Sequence, residues 1–255
     1  MRHLVGAVCA IAATAVAATS ADAVTIDPQE SSNWAGYAIA GTDETTGAAL
    51  SFRAVSGAWT QPRTRCSPGR PSYSAFWIGL GGALPTSQAL EQVGTSSDCT
   101  AAGKQVSYVW YEVVPAPSVH TKLKIAPGDR MQAVVVVDGT QVTMRIQNVT
   151  RHTVFTKRMT VAKPDVSSAE WIAEAPSGCD RRGRCNVLPL ANFGTVSFTK
   201  GQAITTDSRS GTIGASQWAT TPIKLTPDEV RTGNIAVPGP LSADGSSFSV
   251  SVATS

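Results

Sequence analysis

Residues 131–149, MQAVVVVDGTQVTMRIQNV, contain two short runs of strand-favouring residues on either side of the pair Asp138-Gly139. Valine, isoleucine and threonine favour strands, and Asp-Gly between two such runs indicates a tight hairpin. Other strand-length runs follow the same plan, among them AVSGAWT, SAFWIGL, VSYVWYEVV, TVFTKRMTV, AEWIAEA, GTVSFT and FSVSVATS. Because few of these runs show a helical period and no βαβ rhythm appears, the sequence predicts an antiparallel β-sandwich or barrel.

The N-terminus has the pattern of a secretory signal peptide. Arg2 and His3 precede an apolar run over residues 4–18, and the small-residue site Ala21-Asp22-Ala23 follows. The run is too short for a confident transmembrane helix, and no second run of spanning length follows. We therefore expect a secreted protein with a signal peptide at 1–23, no membrane partner, and one domain over 24–255, since no linker or repeat divides the rest.

The cysteines indicate disulfide bonds. Removal of the leader takes away Cys9 and leaves Cys66, Cys99, Cys179 and Cys185, an even set in an exported chain. Four cysteines allow three connectivities. We favour Cys66 with Cys99 and Cys179 with Cys185, because the second pair brackets the short loop DRRGR. Without a CxxC motif or paired histidines, no metal site is expected.

The mild net charge and the absence of several familiar catalytic motifs disfavour several classes of protein. The formal net charge of +3 is mild, and the basic cluster Arg181, Arg182 and Arg184 is typical of a solvated loop, so no nucleic-acid partner is expected. After the leader only His120 and His152 remain, and there is no GxSxG elbow, which disfavours a serine triad. Metalloprotease, nucleotide and dinucleotide motifs are also missing.

Two glutamates fall on one side of a single predicted strand. In residues 167–176, SSAEWIAEAP, alternation places Glu170, Ile172 and Glu174 on one face and Trp171 and Ala173 on the other. Neighbouring carboxylates repel, and a buried one is costly unless it is hydrogen-bonded. A wet strand face is the simple explanation for such a pattern, and a catalytic site is the other.

Polar groups embedded among aromatic residues recur elsewhere. In YVWYEVV, Tyr108, Trp110 and Glu112 share a face, and in LEQVG, Gln92 shares a face with Leu90. Glutamates and an amide brought together on a sheet can perform general acid/base catalysis and stabilise an oxyanion.

Six ordered segments resemble the landmarks of a known family. They are SSNWAGY (31–37), AFWIGLGG (75–82), LEQVGT (90–95), YVWYEVVP (108–115), AEWIAEAP (169–176) and LANFGTVSFT (190–199). Together they resemble the eqolisins, or glutamic peptidases, over essentially the whole chain after the leader. The resemblance implies a β-sandwich of two large antiparallel sheets, similar to the concanavalin A fold, with the active site on its concave face.

The resemblance also implies a catalytic pair. The glutamine of the LEQVG motif is Gln92, and the second acid of the EWIAE segment is Glu174, with Glu170 as its strand neighbour and the alternative candidate. Glu174 would take a proton from the attacking water and return it to the leaving amine, while Gln92 would donate to the oxyanion. The charge of Glu170 could raise the pKa of Glu174.

Three further residues match family landmarks. Trp34 and Trp77 would line the cleft, and Glu112 would support the hydrogen bonds of the site. The cysteines after the EWIAE segment resemble the small disulfide loop of the family.

The implied protein is an acid-active endopeptidase, a monomer that acts on polypeptides and needs no metal or cofactor. Fungal members carry two aspartates and a tyrosine where this chain has Gly81, Ser96 and Val114.

Two other classes remain as alternatives. A carbohydrate-binding sandwich would stack sugar rings on exposed Trp34, Trp77 and Trp110. A glycosidase would need two carboxyl groups facing each other across a cleft. Its candidates are Glu112, Glu170 and Glu174.

Overall fold

The computed structural model describes residues 29–254, except 44, 181 and 227–232. The expected signal peptide at 1–23 therefore lies outside the described residues. All regular elements of the described part are β-strands, and none of its segments is a helix long and apolar enough to cross a membrane. The strands are β1 (Gln29–Ser31), β2 (Trp34–Ala40), β3 (Phe52–Thr60), β4 (Ala75–Leu80), β5 (Leu90–Cys99), β6 (Gln105–Val114), β7 (Val119–His120), β8 (Arg130–Asp138), β9 (Gln141–Asn148), β10 (Thr153–Thr160), β11 (Ala169–Glu174), β12 (Ser177–Cys179), β13 (Cys185–Val187), β14 (Thr195–Thr205), β15 (Ser210–Thr212), β16 (Ala219–Leu225), β17 (Asn234–Pro238) and β18 (Phe248–Thr254).

The strands form an antiparallel sandwich, which confirms the predicted fold class. Their hydrogen-bonded order is β10-β9-β8-β3-β14-β18-β17-β16-β2-β11-β4-β5-β6-β7. This continuous path folds into two layers, because β3 and β8 at one end pack on β4, β5 and β11 at the other. The strand β17 joins the layers, and β1 adds to β16 as a parallel exception.

The β8–β9 hairpin shows why alternation gives a half-buried strand. Met131, Ala133, Val135 and Val137 point into the core, while the residues between them are more exposed. The hairpin prediction is confirmed with a small change of position. Asp138 pairs with Gln141, so the two-residue loop is 139–140, with Gly139 at φ 58°.

The main core lies between the two layers and is rich in aromatic residues. Trp59, Phe76, Trp171 and Phe198 are buried there. The Trp171 indole N–H donates to the Ser56 carbonyl at 2.8 Å, which ties β11 to β3 in the opposite layer. Truncating such a side chain costs about 3–5 kcal/mol of folding free energy, so this residue fixes β11 on the core.

Both disulfides have the predicted pairing. Cys66–Cys99 fastens the segment after β3 to the end of β5, and Cys179–Cys185 closes the small β12–β13 hairpin directly after β11.

The layer that contains β2, β11, β4, β5 and β6 carries a smaller apolar cluster on the face that points away from the main core. Trp77, Trp110 and Ile172 are buried there, together with Ala38, Ala75, Leu90 and Ile223. The polar residues singled out by the sequence lie around this cluster.

Candidate active site

The strand β11 is central to this face because it is paired on both sides. Glu174 lies opposite Trp34 on β2 and Ala75 on β4. Four residues earlier on the same strand, Glu170 lies opposite Ala38 and Gly79. The two glutamates therefore share one face, as alternation predicts, but they have different surroundings.

The Glu174 carboxylate is held by two donors. Its Oε2 accepts the Trp77 indole N–H at 2.7 Å, and its Oε1 accepts the Asn33 side-chain N–H at 3.2 Å. The Ser31 hydroxyl donates to Asn33 Oδ1 at 3.3 Å, which leaves the amide nitrogen of Asn33 directed to Glu174. Sequence reasoning missed Asn33, because its position before Trp34 in SSNWAGY was the only signal for it.

Burial raises the pKa of Glu174 to about 7, and the nearby Glu112 charge acts in the same direction. The hydrogen bonds from Trp77 and Asn33 oppose this rise because they stabilise the ionised form. The balance leaves a carboxyl that can exchange a proton near neutral pH.

Gln92 and Glu112 are neighbours on β5 and β6. They are directly paired across the strands, and Gln92 Nε2 donates to Glu112 Oε2 at 2.6 Å. The Gln92 side chain is almost fully buried, and its Oε1 has no hydrogen-bond partner. Burial raises the pKa of Glu112, while the Gln92 donor opposes the rise.

A cleft of about 760 Å³ brings Glu112 and Glu174 together. Both glutamates line it, as do Tyr108 and Trp110, which confirms that YVWYEVV presents its alternate residues to one side. Gln92 is not on the wall and reaches it through its hydrogen bond to Glu112. The remaining lining residues are Ala75, Ser96, Val114, Pro115, Ala116, Pro117, Ser118, Pro176, Ser177, Cys179 and Cys185.

Glu170 does not have the expected place beside the substrate. It is fully buried and is not part of the cleft wall. Burial raises its pKa well above the usual value, the charges of Asp165 and Glu91 add to the rise, and the Ser168 hydroxyl opposes it. The neighbouring carboxyl whose charge raises the pKa of Glu174 is Glu112, and the expected influence of Glu170 on Glu174 stays a prediction.

The tryptophans lie under the site more than around it. Trp77 is fully buried, so its indole forms the floor of the site and does not line the cleft as expected. Trp34 is half-buried, packs edge-on against Trp77 with ring centroids 5.0 Å apart, and lines an adjacent pocket of about 330 Å³. Trp110 is 5% exposed. The sugar-binding alternative is weakened, because two of its three stacking residues are buried.

The three departures from the fungal pattern have separate structural settings. Gly81 has φ 81°, and a Cβ at this position would lie 2.5 Å from the Asp165 Cβ, so a larger residue does not fit without a backbone shift. Ser96 and Val114 line the cleft, and the Ser96 hydroxyl accepts the Trp110 indole N–H at 3.0 Å.

Among the residues that the structure describes, no group of three or more His, Cys, Asp or Glu side chains is arranged to hold a metal ion.

The fold and the cleft define an antiparallel β-sandwich with two carboxyl groups on one cleft wall and a buried amide behind them. The model of the peptidase A4 family matches residues 32–237. The chain belongs to this family, and the resemblance to glutamic peptidases is confirmed.

Solved structures agree on the fold. Scytalido-glutamic peptidase, bound to a peptide-based transition-state analogue, superposes with a TM-score of 0.69 at 21% identity, covering 87% of this chain and 98% of the other. SCP-B, an eqolisin in complex with the tripeptide Ala-Ile-His, gives 0.65 at 22% identity over 87% and 98%. Aspergilloglutamic peptidase from Aspergillus niger gives 0.59 at 21% identity over 71% and 99%. No curated protein sequence matches the chain.

Proposed function

We propose that the protein is a secreted, acid-active glutamic endopeptidase whose catalytic pair is Gln92 and Glu174. The observation that carries the proposal is the setting of Glu174, a carboxyl on a cleft wall that is held by two donors. Membership of a peptidase family supplies the reaction class.

Glu174 acts on the water that attacks the peptide carbonyl. As a carboxylate it takes a proton from the water while a new bond forms between the water oxygen and the carbonyl carbon. It then returns the proton to the amine nitrogen as the C–N bond breaks. Trp77 and Asn33 hold the carboxylate in one orientation through this exchange, because each occupies one of its oxygens.

Gln92 supplies an uncharged N–H donor to the oxyanion of the tetrahedral intermediate. In the free protein its Nε2 is engaged by Glu112. The amide nitrogen carries two N–H groups, so it can donate to a substrate oxyanion while it remains bound to Glu112. We propose that Glu112 supports the site by holding the Gln92 amide in place.

The cleft suits a polypeptide substrate. Apolar and aromatic side chains surround the two carboxyl groups, and the related scytalido-glutamic peptidase and SCP-B bind peptide ligands. Two disulfides fit export to an oxidising environment. We also propose that the protein acts as a monomer without metal or cofactor, so its activity should persist in EDTA.

The test is cleavage of unfolded casein between pH 2 and 8 by the purified protein and its variants. Glu174→Gln and Gln92→Ala should each lower activity at least about 100-fold, the size of effect seen when one catalytic donor is removed. Asp138→Asn, which removes an exposed carboxyl on the β8–β9 hairpin, is the matched control and should behave as the wild type. Full activity in either site variant, with unchanged circular dichroism, would contradict the assignment.

The glycosidase alternative has one observation in its favour, since Glu112 and Glu174 line a single cleft. The same protein sample should be assayed for release of reducing sugars from polysaccharides. Sugar release without casein cleavage would reverse the choice between the two classes.

A further inference from the structure

Beside Glu174 the floor of the cleft is built from small side chains. A row of four paired residues crosses the layer and lines the cleft: Glu174 on β11, Ala75 on β4, Ser96 on β5 and Tyr108 on β6. Neighbouring strands lie about 4.8 Å apart, so the backbones of Glu174 and Ser96 are roughly 10 Å apart, and the Ala75 methyl group is the side chain between them. This row therefore leaves open space next to the Glu174 carboxyl.

The next row along the same strands is filled by two tryptophans. Gly94 on β5 pairs with Trp77 on one side and with Trp110 on the other. A Cβ at Gly94 would lie 2.6 Å from the Trp77 Cβ, so the glycine is what allows Trp77 to pack so closely. Both tryptophans are almost fully buried, and Trp110 lines the cleft. The Trp110 ring therefore bounds the open space on this side.

The β12–β13 hairpin bounds the same space on the opposite side. It follows Glu174 along the chain, and the two cysteines of its disulfide, Cys179 and Cys185, line the cleft. Ile172, two residues before Glu174 on β11, lies in the row of the tryptophans. The tryptophans and the hairpin are thus on opposite sides of the row that contains Ala75.

The surroundings of this space suit an apolar side chain. The Ser96 hydroxyl accepts the Trp110 indole N–H at 3.0 Å, and the Tyr108 hydroxyl donates to Asp98 at 2.7 Å, so both hydroxyls of the row already have partners in the protein. The described residues that line the cleft include two glutamates and no cationic side chain. An acidic side chain would meet like charge there, whereas an apolar side chain gains from its removal from water.

We propose that Ala75 determines the substrate preference of the protein. The open space above its methyl group, the Ala75 subsite, receives a bulky apolar side chain of the size of leucine, methionine or phenylalanine. The whole cleft encloses about 760 Å³, which is enough for such a side chain and the adjoining peptide backbone. Because the subsite adjoins Glu174, this side chain belongs to one of the two substrate residues that flank the scissile bond. The inference rests on the proposed function of Glu174.

The first experiment uses an alanine-rich peptide with one variable position. Cleavage by the wild type is located by mass spectrometry and measured as kcat/KM. Leucine, methionine or phenylalanine at the variable position should direct cleavage to one and the same side of that residue, with kcat/KM about 10- to 100-fold above that for alanine. Asparagine, which is close to leucine in size but polar, should give no such gain. Equal rates for leucine, asparagine and alanine would overturn the proposal.

The matching variant fills the subsite. Ala75→Leu should lower kcat/KM for the bulky peptides about 10- to 100-fold and leave the alanine peptide within about threefold of the wild type. Ala75→Val, a smaller change, should exclude phenylalanine more than leucine. Ala101→Leu, the same substitution in an exposed turn after β5, is the control and should match the wild type. An unchanged preference in Ala75→Leu, or an equal loss on all peptides with unchanged circular dichroism, would refute the role of Ala75.

The second experiment measures binding without cleavage. Calorimetry on Glu174→Gln should show that the leucine peptide binds at least about tenfold more tightly than the alanine peptide, and adding Ala75→Leu should remove the difference. Equal affinities of the two peptides for Glu174→Gln would contradict the subsite. A leucine preference in kcat/KM that persists in a fully active Glu174→Gln and vanishes in Ala75→Leu would keep the subsite and reject the proposed catalytic pair.

Discussion

Glu91 should make the folded protein less stable as the pH rises. It follows Leu90 on β5 and, by alternation, shares the face of Val93, which belongs to the main core between the layers. It is fully buried. Burial raises its pKa from 4.5 to about 8, the Asp165 charge adds to the rise, and the backbone amide of Asp165 opposes it.

The sign and size of the effect follow from proton binding. Between pH 4.5 and about 8 the folded state holds a proton on Glu91 that the unfolded state has lost, so the free energy of unfolding falls as the pH rises through this window. Each factor of ten in proton affinity is worth about 1.4 kcal/mol, and Glu91 alone therefore costs about 5 kcal/mol by pH 8. Domains of this kind have total stabilities of about 5–15 kcal/mol, so the loss is a large fraction of the whole.

The perturbation is Glu91→Gln, which keeps the shape and removes the titration. Urea unfolding followed by tryptophan fluorescence should be measured at intervals from pH 4 to 8 for the wild type, Glu91→Gln and the surface control Glu30→Gln. The wild type and the control should lose several kcal/mol across this range, and Glu91→Gln should lose about 5 kcal/mol less. The comparison uses the change in the free energy of unfolding with pH and not its absolute value, because a buried glutamine amide lowers stability by the same amount at every pH. Parallel curves for Glu91→Gln and the wild type would refute the reasoning.

Two further variants test the site and the scaffold. Trp77→Phe removes the indole N–H that lowers the pKa of Glu174. The fall of kcat/KM on the acid side should therefore begin at a higher pH, and activity should drop about 10- to 100-fold, as for a lost hydrogen bond to a charged group. An unchanged acid side of the pH profile would contradict this. Replacing both Cys66 and Cys99 with alanine opens a loop with a sequence separation of 33 residues. The unfolded chain gains the entropy that the closed loop had removed, so the free energy of unfolding measured in urea should fall by about 3–4 kcal/mol. A fall of less than about 1 kcal/mol would contradict this explanation.

Local chemistry in the sequence was enough to predict antiparallel strands and the faces of their side chains, whereas the two-sheet sandwich and the candidate pair Gln92 and Glu174 came from the family resemblance. Alternation placed Glu170 with Glu174 and Tyr108 with Glu112, because a strand turns every second side chain to the same face. The Asp138-Gly139 hairpin depends on a few adjacent residues and was also predictable, apart from a one-residue offset of its loop.

What the sequence could not supply was the pairing between distant strands. Asn33 reaches Glu174 across 141 residues because β11 lies beside β2, and no local pattern encodes that neighbour. For the same reason Glu170 and Glu174 could not be distinguished by alternation. The difference between them is one of burial, because Glu170 is completely buried whereas Glu174 lines the cleft.

Buried carboxyls serve two separable purposes in this fold. Glu112 and Glu174 line the cleft, whereas Glu91 and Glu170 are fully buried away from it and are tolerated best when neutral. The carboxyls of the cleft bear on the pH range of activity and the fully buried carboxyls on the pH range of stability, so the two ranges need not be linked. Because Glu91 acts on the stability of the whole fold and does not line the cleft, Glu91→Gln should extend stability toward neutral pH while the pH profile of kcat/KM remains unchanged.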